Sequence, residues 1–243
     1  MESRNVTQHI SQQFNDELET LREQVMAMGG LVEKQLTDAI ETLVDMDDAR
    51  AQKIIQQDTL VNALEVKIDE ECTKVLAKRQ PAAGDLRLII AIIKTVTDLE
   101  RIGDEAEKIA RMTLEIFQQE PLIPLHKKHL KDIKNLGKHV IEMVRNSLDA
   151  FARMDVDAAM QVAKQEQDVD EQYAALSRQL ITYMMEDPRS ISSILDVTWV
   201  ARALERVGDH ANNIAEYTIY LVKGKDVRHT SFEKMEQVAR GGQ

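Results

Sequence analysis

Apolar residues recur along this chain at intervals of three and four, the spacing that places them on one face of an α-helix. Such stretches predict four helices, at about residues 12–46, 48–78, 126–154 and 156–186. Pro81 and Pro188 follow the second and fourth of these stretches, and Pro is favoured where a helix begins. A third helix is therefore expected after each Pro.

The third helix of the first half has the most apolar pattern. Its segment 86–99 carries Leu, Ile and Val around most of the helical circumference, so we expect deep burial. Gly224 is expected to end the corresponding helix of the second half, since Gly is favoured just past a helix C-terminus.

The chain repeats itself in two registers. Residues 46–62 align without a gap with residues 154–170, at an offset of 108 that also pairs Gly29 with Gly137. Searching for such self-similarity precedes any interpretation of motifs, because a repeat determines the architecture. The match indicates two halves with the same arrangement of helices.

The second register lies further along each half. LERIGDEAEKIA at 99–110 matches LERVGDHANNIA at 204–215, now at an offset of 105. The three missing residues fall around Pro81 and Pro188, where a loop can be shortened without disturbing a helix. The predicted fold class is therefore all-α, with two tandem three-helix bundles related by internal duplication.

The short connections within each half force neighbouring helices to run antiparallel, so each half is expected to form one bundle. The predicted divisions are an N-terminal bundle at 1–120, a linker containing Pro121 and Pro124 at 121–125, a C-terminal bundle at 126–224 and a polar tail at 225–243.

The composition agrees with long helices. The 243 residues include only 9 Gly and 4 Pro, and aromatic residues make up 4%, which is too little turn and strand material for a sheet protein. The net charge of −11 disfavours nucleic-acid binding, because an acidic surface repels phosphate backbones. That charge suits a cation or a partner with a basic surface.

The sequence also indicates a compartment. Cys72 is the single cysteine, which excludes an internal disulfide and a thiolate zinc site. The most apolar run, 86–96, contains Arg87 and Lys94 and is too short to cross a bilayer. The N-terminus lacks the pattern of a secretory signal. We therefore expect a cytoplasmic protein without membrane insertion.

Paired acids lie on both third helices. Glu100 and Asp104 are four residues apart and share one helical face, and Glu205 and Asp209 repeat this spacing. In each half the acids prolong the apolar face of the helix. Carboxylates in that position need a cation or hydrogen-bond donors nearby.

The second helices carry the same spacing, in Asp58 and Asn62 and in Glu166 and Asp170. If helices two and three lie side by side, four oxygen-bearing side chains converge in each half. Such groups suit hard cations such as Mg²⁺, Mn²⁺ or Ca²⁺ and are compatible with iron.

Three questions stay open from the residues alone. The acids could instead form salt bridges with the adjoining Arg101 and Arg206. Gly103 and Gly208, inside the third helices, fit either a close helix crossing or space for an ion or a partner backbone. His210 lies off the acidic face, so a surface position or a partner contact is predicted for it.

The motifs of several enzyme classes are missing from the sequence. It contains no GxxxxGK[ST], no GxGxxG and no HExxH, so nucleotide-binding and zinc-peptidase chemistry lack their parts. None of the singled-out acids has His three residues later, as a ferritin-like di-iron centre requires. The sequence predicts no enzyme.

Four segments resemble the PhoU family of bacterial phosphate transport and signalling accessory proteins. They are ERIGD in the first half, ERVGDHANNIAE in the second half, AKRQPAAGDLR around Pro81, and the opening QFNDELETLREQVMAMGG. The resemblance covers nearly the whole chain, and both repeats carry the E/D-x-x-x-D signature of the family.

The resemblance implies a cytoplasmic negative regulator of the phosphate-starvation response and of phosphate uptake. Family members are thought to connect the ATPase subunit of the phosphate ABC transporter with a membrane sensor histidine kinase. They are commonly homodimers. An alternative is a metal-dependent enzyme acting on phosphate compounds, and a third class is a chaperone-like or purely structural helical protein.

Some family members bind iron, zinc or other metals at the E/D-x-x-x-D motifs, which allows Mg, Mn, Fe or Zn here. Carried over to this sequence, the metal positions are Glu100, Asp104, Glu205, Asp209, Asp58, Asn62, Glu166 and Asp170. Asn62 departs from the acidic pattern, so equal metal occupancy of the two halves is not expected. No basic phosphate-binding loop stands out, and direct phosphate sensing by this chain is therefore not expected.

Overall fold

The computed structural model describes residues 2–118 and 127–241. These residues form seven α-helices and no strand. The helices are α1 (Glu2–Asp45), α2 (Asp48–Arg79), α3 (Ala83–Gln118), α4 (Lys127–Arg153), α5 (Val156–Glu186), α6 (Ile191–Lys223) and α7 (Phe232–Ala239). The all-α prediction is confirmed, and each half contains the three predicted helices.

The duplication reaches the details of the turns. Met46 and Met154 both adopt left-handed backbone conformations, with φ of 59° and 52°. Asp47 and Asp155 follow them and cap α2 and α5, each accepting a hydrogen bond from a backbone N–H three residues later. The same pair of residues therefore ends one helix and begins the next in both halves.

The third helices begin near Pro81 and Pro188 as predicted, but the backbone that leads into each helix differs. In the first half, Gln80 is left-handed and α3 begins at Ala83. In the second half, a 3-10 turn at Pro188–Ser190 leads directly into α6. The difference lies where the offset of the repeat changes. Gly224, with φ of 72°, ends α6 as predicted.

Helices α3 and α6 occupy the centre of the molecule. Helix α3 packs against α1 and α2, α6 packs against α4 and α5, and the contact between α3 and α6 is the most extensive of any helix pair. The buried apolar side chains form one cluster that includes residues of both halves. The two three-helix units thus share a single core.

A second contact between the halves lies where α1 crosses α4. A methyl group built on Gly29 would lie 2.7 Å from Leu148 Cδ1, and one built on Gly137 would lie 2.7 Å from Ile40 Cδ1. Both pairings follow the 108-residue offset, because Ile40 corresponds to Leu148 as Gly29 does to Gly137. The repeated glycines therefore permit a close crossing of two helices.

The segment predicted as a polar tail, residues 225–243, contains a helix. Met235 and Ala239 of α7 are buried, as is Val227 before it, and α7 packs against α5 and α6. The predicted linker at 121–125, with both of its prolines, lies outside the described residues. None of the described helices combines the length and the apolar character needed to cross a bilayer.

Candidate metal centre

Helices α5 and α6 bring three of the predicted acids together in the second half. Carboxylate oxygens of Glu166, Asp170 and Asp209 all lie within 4.8 Å of one another. Glu166 and Asp170 are one turn apart on α5, and Asp209 approaches them from α6. Glu166 is half-buried and the other two are exposed. Among the side chains that the structure describes, those of residues 12–116 and 129–241, this is the one such group of His, Cys, Asp or Glu.

Glu205, the fourth predicted acid of this half, is close enough for its charge to act on Glu166. Its Oε1 accepts a hydrogen bond from Arg202 Nη1 at 2.5 Å. Its Oε2 is buried without a hydrogen-bond partner among the described residues, and so is Asn212 Oδ1. Buried oxygen acceptors without donors are costly, and a bound cation would satisfy them.

The electrostatics of this group are unfavourable without a counter-ion. The pKa of Glu166 is raised to about 7, chiefly by burial and further by the negative charges of Asp170, Asp209 and Glu205. Burial also raises the pKa of Asp209 and of Glu205. A divalent cation would reverse this situation, because it favours the ionised form of every carboxylate near it.

The donor set fits a hard cation. Glu166, Asp170 and Asp209 offer only carboxylate oxygens, which suit Mg²⁺ or Mn²⁺ and are compatible with iron. Zinc more often takes nitrogen and sulfur ligands, and none of the three acids supplies either.

The corresponding acid of the first half has a different environment. Asp58 is 7% exposed, and both of its carboxylate oxygens accept amide hydrogen bonds. Gln35 Nε2, from α1, donates to Oδ1 at 3.1 Å, and Asn62 Nδ2 donates to Oδ2 at 3.1 Å. The structure therefore joins Asp58 to Asn62 through a hydrogen bond within α2.

Arg101 contacts both of the other first-half acids, Asp104 and Glu100. Its Nη1 donates to Asp104 Oδ2 at 3.1 Å, and its Nε lies 3.4 Å from Glu100 Oε2. The second contact is an ion pair without hydrogen-bond geometry, since Glu100 Oε2 has no hydrogen-bond partner among the described residues. Burial raises the pKa of Glu100 and of Asp104. The salt-bridge interpretation is confirmed for Arg101.

Arg206, the counterpart of Arg101, pairs elsewhere. Its Nε lies 3.0 Å from Oε1 of Glu105, a side chain of α3 in the other half. Glu105 also accepts a hydrogen bond from Lys108 at 3.4 Å. The alternative in which Arg206 pairs with the acids of its own half does not hold, because the close α3–α6 packing offers it a buried carboxylate across the interface.

His210 also joins the two halves. Its Nδ1 lies 2.7 Å from Oδ1 of Asp98, which is 6% exposed and also accepts a hydrogen bond from Asn213 Nδ2 at 3.0 Å. The predicted surface or partner position of His210 is wrong. The helical face that carries His210 is the face that α6 presents to α3.

The glycines inside the third helices allow close packing of helix two on helix three. A methyl group on Gly103 would lie 3.3 Å from Val61 Cγ1, and one on Gly208 would lie 3.3 Å from Val169 Cγ1. Val61 and Val169 are themselves counterparts in the repeat. The close-crossing interpretation is therefore confirmed in both halves.

The sequence analysis did not identify two neighbours of the first-half acids. Gln35 reaches Asp58 from α1, and nothing in the local sequence marks it. Glu65 lies near Arg101 and Asp104, and burial is the largest of the effects that raise its pKa. Glu65 follows Asp58 by seven residues on the same helical face, a spacing that could have identified it.

The PhoU domain family model matches this chain twice, at residues 25–113 and 133–218. The two matches fall on α1–α3 and on α4–α6, so each structural repeat is one copy of the domain. The chain belongs to the PhoU family.

Relatives cover nearly its full length. The "Phosphate-specific transport system accessory protein PhoU homolog" of Pseudomonas aeruginosa is 51% identical over 232 residues, which are 96% of this chain and 94% of the relative. The "Phosphate-specific transport system accessory protein PhoU" of Escherichia coli (strain K12) is 48% identical over 241 residues, which are 99% and 98% of the two chains.

Solved structures agree with this fold. PhoU from Pseudomonas aeruginosa is similar with a TM-score of 0.80 and 50% identity, over 87% of this chain and 100% of that one. The "phosphate transport system regulatory protein PhoU" from Streptococcus pneumoniae is similar with a TM-score of 0.80 and 30% identity, over 88% and 99% of the two chains.

Proposed function

We propose that this chain is a regulatory accessory protein of a phosphate-specific transport system. It acts as a negative regulator of the phosphate-starvation response and of phosphate uptake. The observation that carries this proposal is the end-to-end similarity, at about half identity and across both repeats, to relatives named as accessory proteins of the phosphate-specific transport system. The duplicated all-α architecture supports the role of a scaffold.

The proposed mode of action is that of an adaptor. The chain contacts the ATPase subunit of the phosphate ABC transporter and a membrane sensor histidine kinase, acts in the cytoplasm and forms a homodimer. Its net charge of −11 favours partner surfaces that are basic. Two similar halves joined in one core offer two related faces, which suits a protein that contacts two partners.

Cation binding belongs to the same proposal. Glu166, Asp170 and Asp209 hold the ion, with Glu205 beside them. A bound divalent cation supplies positive charge between α5 and α6 and relieves the repulsion among these carboxylates. The chain's own acids thereby present a defined, partly neutralised face to a partner.

The proposed role is not enzymatic. The alternative is a metal-dependent enzyme acting on phosphate compounds, which a simple assay distinguishes. Protein loaded with Mn²⁺ is incubated with a generic phosphoester and compared with the same preparation after chelation. Turnover that disappears on chelation and in the Asp209→Asn variant would support the enzyme and contradict the adaptor.

The decisive experiment for the regulatory role is genetic. The gene is deleted in its native host, and a phosphatase reporter of the starvation response is measured in high phosphate. We expect constitutive reporter activity, restored to repression by the wild-type gene. Unchanged repression in the deletion strain would overturn the regulatory proposal.

A matched pair of variants tests the acidic face in the same strain. Charge reversal at Glu205 and Asp209 should reduce both metal content and recovery of the partners in pull-downs. Charge reversal at the exposed Glu70, on α2 and outside the predicted metal positions, serves as the control. If the Glu205 and Asp209 reversals leave metal content and partner recovery unchanged, that face has no role in either.

A further inference from the structure

We infer that the second half alone forms the cation site of this chain, while the first half neutralises its equivalent acids with its own side chains. This inference rests on the cation binding included in the proposed function and goes beyond it. Its basis is the one-to-one comparison that the internal duplication makes possible between residues at matching positions.

The amide donors of the first half have no counterparts in the second. The 108-residue offset pairs Asp58 with Glu166 and Asn62 with Asp170, so an amide that donates to a carboxylate is replaced by another carboxylate. The buried Gln35, which donates the second hydrogen bond to Asp58, has Met143 as its counterpart.

Met143 occupies the same place as Gln35. Its Sδ lies 4.0 Å from a methyl group built on Gly208, and Gln35 Oε1 lies 3.5 Å from one built on Gly103. A thioether cannot donate a hydrogen bond, so it leaves the second-half carboxylates without the donor that their first-half equivalents receive. Within the described part of the chain, no side chain donates to Glu166.

The arginines show the same contrast. Arg101 pairs with Glu100 and Asp104 of its own half. Its counterpart Arg206 is held across the α3–α6 interface by Glu105, which is 5% exposed. The packing of the two halves therefore directs Arg206 away from the second-half acids. The second half has Arg202 at the position of Thr97, and among the described residues this arginine pairs with Glu205 and forms no ion pair with Glu166, Asp170 or Asp209.

Further along α3 and α6, the second half has lost a cationic side chain that pairs with an acid in the first half. Glu107 forms an ion pair with Arg111 one turn later. The 105-residue offset places Asn212 and Glu216 at these two positions, so a bound cationic side chain is lost from the second half. Asp58, Asp104 and Glu107 accept hydrogen bonds from side chains of their own half, and Glu100 forms an ion pair with Arg101. No side-chain hydrogen bond reaches Asp170 or Asp209 among the described residues.

A cation would thus face different competition in the two halves. In the first half it would have to displace two amide donors from Asp58 and compete with Arg101 for Glu100 and Asp104. The unpaired Gln35 Oε1 adds one neutral oxygen there, which cannot replace the missing charges. In the second half, three carboxylates converge that accept no side-chain hydrogen bond among the described residues, and the one arginine that pairs beside them, Arg202, pairs with Glu205.

The test is Mn²⁺ titration of the full, chelator-treated chain by calorimetry, with bound metal per chain measured independently by atomic absorption. Glu166→Gln and Asp170→Asn should each weaken Mn²⁺ binding at least tenfold. The matched first-half variants, Asp58→Asn and Asp104→Asn, should change it less than twofold. Circular dichroism and thermal melting confirm that each variant is folded.

A gain-of-site variant tests the same inference without removing a buried acid. Gln35→Met combined with Asn62→Asp gives the first half the second-half residues at these two positions and removes both amide donors to Asp58, so the Mn²⁺ bound per chain should rise. Wild-type binding that is lost equally through Asp58→Asn and Glu166→Gln would overturn the inference and leave the proposed cation binding intact. Absence of Mn²⁺ binding to the wild-type chain would overturn both.

Discussion

The crossing of α1 and α4 makes a sharp prediction about stability. Gly137→Ala adds a methyl group 2.7 Å from Ile40 Cδ1, with two further carbon atoms of Ile40 at 3.2 and 3.3 Å. Overpacking of this kind costs about 1–3 kcal/mol in a packed interior. The higher helix propensity of Ala offsets about 1 kcal/mol of that cost. We expect a net loss of up to about 2 kcal/mol in the free energy of unfolding.

Gly30 provides the matched control in α1. It is exposed, and a methyl group built on it meets nothing within 4 Å. Gly30→Ala should therefore show only the propensity effect and stabilise the protein by about 1 kcal/mol. The two variants change the same atoms and differ only in what surrounds them.

Thermal melting followed by circular dichroism compares the two variants. A difference of about 2 kcal/mol corresponds to roughly 4–8 °C in Tm for a chain of this size. Adding Ile40→Val to Gly137→Ala removes the methyl group at 2.7 Å, so the double variant should lose less stability than the two single changes summed. If Gly137→Ala melts at or above Gly30→Ala, the close crossing does not limit this position.

Three further predictions concern single side chains. The pKa of the buried Glu216 is raised, chiefly by burial, from 4.5 to about 7, so the protonated form stabilises the folded state and this stabilisation is lost as pH rises through 7. Glu216→Gln should therefore be more stable than wild type at pH 8, by up to about 3 kcal/mol in the free energy of unfolding measured by thermal melting, and equally stable at pH 4. His210→Ala removes one of the hydrogen-bond donors to the buried Asp98 and should cost about 1–3 kcal/mol in urea denaturation. A cost below about 0.5 kcal/mol would contradict the inter-half contact. Asp47→Ala and Asp155→Ala should each cost about 1 kcal/mol in the free energy of unfolding, because each removes the side chain that caps a helix. Markedly unequal losses would contradict the equivalence of the two caps.

The sequence was sufficient to predict the six helices of the two halves, because their apolar residues recur at local spacings of three and four, and the duplication, because the halves align at nearly constant offsets. The three- and four-residue periodicity located α2 and α5 closely, and the shift of the repeat offset located the turns before α3 and α6. The eight-residue α7 was predicted as part of a polar tail, because so short a helix carries little periodicity. Only two of its side chains, Met235 and Ala239, are buried, so its apolar pattern is weak.

The candidate site was only partly predictable for a related reason. The i, i+4 spacing placed Glu166 and Asp170 on one face, and the repeat placed Asp209 opposite them. The side chains that separate the two halves come from elsewhere in the fold. Gln35 lies on a different helix from Asp58, and Glu105 lies in the other repeat from Arg206, so no local pattern links either pair.

The reciprocal crossing, in which Gly29 meets Leu148 and Gly137 meets Ile40, has the form of an isologous interface between two copies of one subunit. Here the two copies are fused in one chain. In a symmetric dimer every substitution appears twice, so both subunits must keep or lose a binding site together. Fusion removes that constraint, because each copy can accumulate its own substitutions. One copy can then specialise in ligand binding while the other maintains the shared core.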